Sequence, residues 1–270
     1  MAETTAIEWT DSTFNPWIGC TNISPACDHC YAETWNARFD ITEWGPHGAR
    51  RRTSQSAWKN PLKWRAEAHR FLASHGRRRR VFCGSLCDIF DNQAPQEYRD
   101  DLFRLIRPTP SLDWQLLTKR PQNIGRFLPD EWGCFGYPNV WLGSSMENQE
   151  YFEQRWRILC EIPAVIRFVS YEPALGPLRL PFGVVPDWII CGGESGPRAR
   201  TMDPQWARDL RDDCLRRGVA YFHKQWGSYP SNPLCYEQRM TTCEAEALDG
   251  KANGKGGALL DGRLWRQFPS

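Results

Sequence analysis

The sequence has no apolar run approaching the ~18 residues needed to cross a bilayer, so no membrane helix is expected. The N-terminal residues Met1-Ala2-Glu3-Thr4-Thr5 are polar and acidic. They lack the apolar core of a secretory signal, and a cytoplasmic location is the expectation. Net charge is also nearly missing: 34 Lys and Arg against 32 Asp and Glu leave +2, too little for bulk charge to argue for nucleic acid or an anionic membrane surface. No segment of about 20 to 50 residues repeats itself beyond an alternation of strand-like and helix-like stretches. A disulfide framework is absent as well. Eleven cysteines is an odd number, and they are scattered through core-like runs, so in a reducing compartment they read as thiols plus one metal site.

What is present is enough apolar sequence for a sizeable core, 41% of 270 residues. That length accommodates one large α/β domain or two small ones. A strand-like run at 13–19 leads into the densest group of cysteines. A short helix is expected at 31–39, an irregular, Gly-, Pro- and Trp-rich excursion at 40–60, and a helix at 61–74. Strands at 80–85, 114–118, 139–143, 165–170, 188–192 and 219–224 then alternate with helices at 96–106, 121–128, 148–160 and 203–217. Such alternation predicts a parallel sheet, and apolar runs without clean period-two patterning predict strands covered on both faces. Seven strands suit a partial TIM-like barrel of about seven β/α units better than a doubly wound sheet, which remains the alternative. Residues 1–227 would form the barrel. Residues 228–270, with a loop at 249–257 and an Asp-Gly hairpin signal at 259–265, would form an appendage packed on it.

The chemistry-bearing stretch is Cys20-Thr21-Asn22-Ile23-Ser24-Pro25-Ala26-Cys27-Asp28-His29-Cys30, a C-x6-C-x2-C pattern. Three readings apply. A structural zinc site would need a fourth ligand and usually a second cysteine pair. The thiols could instead be buried loop residues. Or three thiolates could hold a [4Fe–4S] cluster with one iron left open, which explains why only three ligands are local. The expected strand ends supply the rest of a site, because ligands of parallel α/β folds bind at the carboxyl ends of strands. Ser85 and Asp88 follow the second strand, Lys119 the third, Glu172 the fifth, Gly192-Gly193-Glu194 the sixth and Lys224 the last. Two arginine-rich stretches, 50–52 and 77–80, lie near Trp44, Trp58 and Trp64. This mixture suits either a solvated face or a phosphate-and-stacking surface for DNA or RNA.

Across nearly its whole length the chain resembles the phage-derived three-cysteine-motif family, related to radical S-adenosylmethionine (AdoMet) proteins. The residues that carry the resemblance are Ile7-Glu8-Trp9-Thr10, Phe14-Asn15-Pro16-Trp17, the cysteine motif with Tyr31-Ala32-Glu33, and Gly84-Ser85-Leu86-Cys87-Asp88-Ile89-Phe90. Leu117-Thr118-Lys119-Arg120-Pro121, Trp141-Leu142-Gly143, Ser170-Tyr171-Glu172-Pro173, Gly192-Gly193-Glu194-Ser195-Gly196 and Lys224-Gln225-Trp226-Gly227 continue it. The resemblance implies a [4Fe–4S] cluster on Cys20, Cys27 and Cys30. It also implies AdoMet as cofactor, cleaved reductively to a 5′-deoxyadenosyl radical that abstracts hydrogen from a substrate; the arginine-rich stretches make a nucleic acid that is repaired or modified the candidate substrate. The first gap of the motif is six residues, where radical AdoMet proteins usually have three. Gly192-Gly193-Glu194 looks like their Gly-Gly-Glu, displaced from the second strand to the sixth. On this reading Ser85, Asp88, Glu172, Gly192, Gly193 and Glu194 are candidate cofactor contacts. Lys119 and Lys224 would hold an anionic group and, with Glu172, act at the substrate; the alternative is an ion-pair set that orders the barrel mouth. Members of this family also come with a partner protein, so a non-enzymatic zinc or cluster module acting with such a partner is the second reading.

Overall fold

The computed structural model describes residues 3–249 and 255–270. Residues 1–2 of the N-terminal segment and 250–254 of the expected loop lie outside the described residues. The strands are β1 (Ser12–Phe14), β2 (Trp17–Ile18), β3 (Arg51–Arg52), β4 (Arg79–Cys83), β5 (Leu112–Thr118), β6 (Val140–Ser145), β7 (Ile166–Tyr171), β8 (Trp188–Gly192) and β9 (Ala220–Gln225). The helices are α1 (Tyr31–Phe39), α2 (Gln55–Ala66), α3 (Ala68–His75), α4 (Gln96–Ile106), α5 (Ile124–Phe127), α6 (Gln149–Leu159), α7 (Pro204–Arg217), α8 (Pro233–Tyr236) and α9 (Thr242–Asp249).

Two compact bodies result. The first comprises the described part of Met1–Ile23, Cys30–Ser144 and Glu161–Arg167. In it β1, β4, β5 and β6 pair in parallel, in that order. The second comprises Ser24–His29, Ser145–Cys160 and Phe168–Ser270. In it β7, from Phe168 on, pairs in parallel with β8, and β8 with β9. Parallel strands that follow chain order, with no reversal, are wound as in a partial (β/α) barrel. A doubly wound sheet reverses its order at a switch point. The fold class is therefore α/β of the partial-barrel kind, with seven parallel strands, as the alternation predicts. None of the helices among the described residues is long and apolar enough to cross a membrane.

The first strand corrects the sequence reading in a way that matters for the site. The run at 13–19 breaks after Phe14. Pro16 has no N–H for a ladder, and beyond it Trp17–Ile18 pairs antiparallel with Arg51–Arg52 instead. The carboxyl end of β1 is thus occupied by Asn15, and Cys20 sits in the connection beyond. The excursion at 40–60 is shorter than expected, because α2 begins at Gln55, where the Ser54 side chain accepts the Ala57 N–H. Pro61 stands inside that helix and not at its start.

Tryptophan mostly builds the core. Trp17, Trp64, Trp114, Trp188 and Trp226 are among the largest fully buried side chains. Two of them tie the C-terminal segment to the second body: Trp188 Nε1 donates to the Gln267 carbonyl and Trp226 Nε1 to the Leu259 carbonyl, both at 2.9 Å. That segment runs antiparallel beside β9 through a bridge between Phe222 and Arg266, covering an edge that would otherwise be open to pairing. The hairpin signal is realised as a bridge between Leu260 and Arg263 around Asp261 (φ 53°) and Gly262 (φ 71°), the left-handed pair that an Asp-Gly turn supplies.

His223, in β9, is fully buried, and neither ring nitrogen has a partner among the described residues. Its ring lies 4.4 Å from that of Trp226. Burial pushes its pKa down from 6.5 to about 3, and Arg266 and Arg211 add to the effect while Asp261 opposes it. The unfolded chain therefore takes up this proton near pH 6.5 while the folded chain refuses it, so stability falls as pH drops from 6.5 toward 3. At ~1.36 kcal/mol per pH unit, about 2–3 kcal/mol is lost between pH 6.5 and 4.5. H223L is expected to flatten this part of the profile, read as urea midpoints at pH 7.5 and 4.5. An unchanged slope would assign the pH dependence elsewhere.

Candidate functional site

The three motif cysteines fall on three local structures, and none is in a disulfide. Cys20 is half-buried in the connection after β2. Its backbone is pinned on both sides: Gly19 N–H donates to the Leu86 carbonyl at 3.2 Å, and Gly45 N–H to the Cys20 carbonyl at 3.0 Å. Gly19 has φ 118° and its missing Cβ would lie 3.1 Å from the Ala49 carbonyl oxygen, so glycine is required where the chain turns toward Cys20. Cys27 ends the short 3₁₀ turn Pro25–Cys27 of the second body, with its N–H on the Ser24 carbonyl. Cys30 is the N-cap of α1. Among the described residues no three His, Cys, Asp or Glu side chains are gathered closely enough to hold a metal ion.

Asp88 and Arg120 form a buried network beside Cys20. The Asp88 carboxylate accepts from Phe90 N–H (3.0 Å), Thr118 Oγ1 (2.6 Å), Lys119 N–H (3.0 Å) and Arg120 Nη1 (2.9 Å). It thus pins the end of β5 to the loop after β4. Arg120 in turn donates to Cys20 Sγ (3.7 Å) and the Thr21 carbonyl (2.8 Å). Burial, with Asp88 beside it, pushes the Cys20 thiol up to about 12, and Arg120 pulls in the other direction. Ser85 lies nearby in the same body: its Oγ accepts from Asn15 Nδ2 at 2.9 Å, and its carbonyl from Tyr31 Oη at 2.6 Å. Asn15 Oδ1 accepts Leu86 N–H at 2.7 Å. Lys119 is half-buried at the end of β5.

A second carboxylate–arginine pair holds the Cys27 turn. Glu194, just past β8, is 5% exposed. It accepts from Arg200 N–H, Arg200 Nε and Arg200 Nη2 at 2.9, 2.9 and 2.5 Å. His29 Nδ1 lies 2.9 Å from the same carboxylate. Arg200 also reaches the Pro25 carbonyl (2.8 Å) and Asp28 Oδ2 (3.1 Å). Burial by itself would raise the Glu194 pKa, but the hydrogen bonds from Arg200 and His29 prevail and hold it at about 2. Both oxygens are thereby committed, Oε1 to Arg200 and Oε2 to Arg200 and His29.

Lys224 and Glu172 meet in the second body. Lys224 Nζ is bonded to Glu172 Oε1, and the two side chains are 16% and 19% exposed. They leave β9 and β7, the two neighbours of β8, and Gly192 lies between them. A Cβ on Gly192 would lie 3.5 Å from Glu172 Cδ. Gly193 has a stricter reason to be glycine: a Cβ there would lie 1.9 Å from the Trp226 carbonyl oxygen. The pair belongs to the ion-pair alternative weighed for these residues, yet it stays partly open to solvent at the carboxyl ends of its strands.

The arginine-rich stretches are engaged within the first body. Arg50 is buried against Asp91, Arg51 donates to the Ile41 carbonyl, and Arg52 pairs with Asp101 over the Trp58 ring. Arg77 pairs with Asp11, Arg78 with Asp113, and Arg79 lies over Phe71. Arg80 is buried. The site list read from sequence omits Asn15, Arg120, Arg200 and Asp28. Asn15, Asp28 and Arg120 stand in stretches that sequence singles out, whereas nothing in the pattern marks Arg200.

No curated protein matches the chain by sequence. Among solved structures, spore photoproduct lyase variants align with it. One with bound AdoMet and a dinucleoside spore photoproduct is 12% identical with a TM-score of 0.40, covering 76% of this chain and 50% of that one. Another is 12% identical with a TM-score of 0.42, covering 79% and 52%. The chain thus spans about half the length of those enzymes. It belongs to the family described as "Protein of unknown function (DUF5131)", which matches over residues 4–269.

Proposed function

We propose that this member of the family is an iron–sulfur protein of the radical-AdoMet type, with Cys20, Cys27 and Cys30 as the ligands of a [4Fe–4S] cluster. The observation that carries this is the way the motif is held. Cys20 and the Cys27 turn are each gripped by a guanidinium that a carboxylate at a strand end or in the loop after one orients, Asp88–Arg120 and Glu194–Arg200. Loops of merely buried thiols need no such anchoring. The donor set fits: three unbridged cysteines, soft ligands of the kind such clusters take, with no fourth cysteine in the stretch to close a zinc site. When bound, the cluster would supply the electron that cleaves AdoMet and so start hydrogen abstraction from a substrate.

The chain's own residues supply positioning. Arg120 and Arg200 fix the ligand-bearing segments. Asp88 and Glu194 orient those arginines, and their oxygens are taken up in doing so. Ser85 at the end of β4, and Gly192, which leaves room beside the Lys224–Glu172 pair, are the candidate contacts for AdoMet. Lys224 offers a cation and a proton at Nζ, with Glu172 as counter-ion and proton acceptor. Lys119 offers a second cation. A nucleotide of DNA or RNA remains the proposed substrate class, with Lys119 and Lys224 each a candidate for a phosphate contact.

Anaerobic purification is expected to yield about four iron and four sulfide per chain, and AdoMet with dithionite to yield 5′-deoxyadenosine. C27S is expected to abolish both. Zinc without iron would overturn the proposal and favour a metal-binding module that acts with a partner protein.

A further inference from the structure

We propose that Arg120 is a positioning residue for Cys20, presenting one donor to its sulfur and another to the next carbonyl. The inference rests on the reading of the cysteines as a metal centre and adds a residue to it. The first gap of the motif puts six residues between Cys20 and Cys27, so the position of Cys20 is not fixed by a tight local turn of the motif. Arg120 supplies the missing constraint from a distant part of the chain. Its Nη1 is 3.7 Å from Cys20 Sγ and 2.9 Å from Asp88 Oδ2, and its Nη2 is 2.8 Å from the Thr21 carbonyl. Only a planar fork can serve these partners at once; an ammonium is a single point on a flexible stem.

The fork is itself held rigid. Arg120 is the second residue beyond β5, its own N–H donates to Thr118 Oγ1 at 2.8 Å, and Thr118 Oγ1 donates to Asp88 at 2.6 Å. Arg120 and Asp88 are 4% and 5% exposed. Water therefore does little to screen a cation aimed at sulfur. Two consequences follow for a bound metal. The segment 20–21 is held in place before binding, which raises affinity, as outer-shell partners do. A charged donor to a ligand sulfur also stabilises the electron-rich state, so it raises the reduction potential of a cluster. Asp88 offsets part of the charge but leaves the donor direction intact.

The test uses the full chain carrying R120M or R120K, with iron content, chelator competition and a spectroscopically monitored redox titration. R120M is expected to shift the one-electron equilibrium of the cluster by roughly tenfold toward the oxidised state, which is about 59 mV lower in midpoint. Metal retention against a chelator is expected to weaken at least about tenfold, with partial recovery in R120K, which restores the charge but not the fork. A merely structural Arg120 would change thermal stability and leave the midpoint of the loaded protein alone. R120M with midpoint and retention within about twofold of the parent overturns the inference while the metal centre stands. A parent chain that binds neither iron nor zinc overturns the metal centre itself, and the inference with it. If the parent holds zinc, chelator competition alone decides. Should R120M not fold, R120K carries the test, with at least a threefold loss of retention expected and none overturning it.

Discussion

Replacing Gly193 by alanine is expected to prevent the second body from folding stably, while the same change one residue earlier is tolerated. The two glycines look equivalent in sequence, but their surroundings differ. A Cβ on Gly193 would stand 1.9 Å from the carbonyl oxygen of Trp226 and 2.6 Å from its carbonyl carbon. Both are backbone atoms, so no rotamer change relieves the clash. Gly227 faces the same crossing from the other side: its own Cβ would lie 2.1 Å from the Glu194 carbonyl oxygen. The ends of β8 and β9 thus pass at a separation that only two glycines permit. Forcing them apart would break the Gly193 N–H bond to the Gln225 carbonyl (3.0 Å) and shift Trp226, which is fully buried. A loss of at least about 4 kcal/mol is expected, the range reached only by mutations with a definite steric cause. Gly192, whose Cβ would sit at an ordinary 3.5 Å from its neighbours, should lose less than about 1 kcal/mol. Urea unfolding followed by tryptophan fluorescence distinguishes the two. Equal losses would mean that the crossing can open, and that the Gly-Gly pair answers to something other than this contact. G192A also separates fold from ligand: a folded variant with weakened AdoMet binding would place the cofactor beside the Lys224–Glu172 pair.

These glycines show how far sequence reading reaches. The strands and most helices were legible because apolar runs and capping residues are local signals. Asp203 and Pro204 announce the start of α7, for example, and the Asp203 side chain does accept the Gln205 N–H. The seven-strand, partial-barrel class followed from alternation alone. The break after Phe14 was less legible, since Trp17-Ile18 is as strand-like as what precedes it, and only Pro16 hints that it leaves the sheet for Arg51–Arg52. At the candidate site the residue types at the strand ends were visible, but their partners were not. A Gly-Gly-Glu triplet gives no sign that its carboxylate turns toward an arginine six residues on, or that this arginine reaches back 175 positions to the Pro25 carbonyl. Likewise, the runs of arginine read as one basic feature, although each side chain has its own acidic, carbonyl or aromatic neighbour. Such pairings are tertiary facts, fixed by how the chain returns on itself.

Glu194 is where this distinction can be measured. If its carboxylate contacts AdoMet, its removal should leave metal content intact and weaken AdoMet binding. The geometry points to the opposite order of effects. Glu194 is the acceptor for three Arg200 donors, and Arg200 is the link to Pro25 and Asp28, which flank Cys27 in the turn. E194A would leave the guanidinium without its main counter-charge and the Cys27 turn without its anchor. Removing one partner of a largely buried, charge-assisted pair costs about 3–5 kcal/mol, and Arg200, one-third exposed, recovers part of this through water, so about 2–3 kcal/mol is expected. Metal retention should fall by about ten- to a hundredfold, as for other groups that orient ligands from behind. The pH dependence gives an independent reading. Glu194 is held at about 2, against 4.5 in the unfolded chain, so its contribution is present above pH 4.5 and disappears as pH falls from 4.5 toward 2. E194Q should remove that segment of the stability profile while keeping the side chain's shape, and R200K should lose the reach to Pro25 while keeping the charge. Full iron content in E194A, with only AdoMet binding lost, would return this residue to the cofactor and leave the Cys27 turn to hold itself.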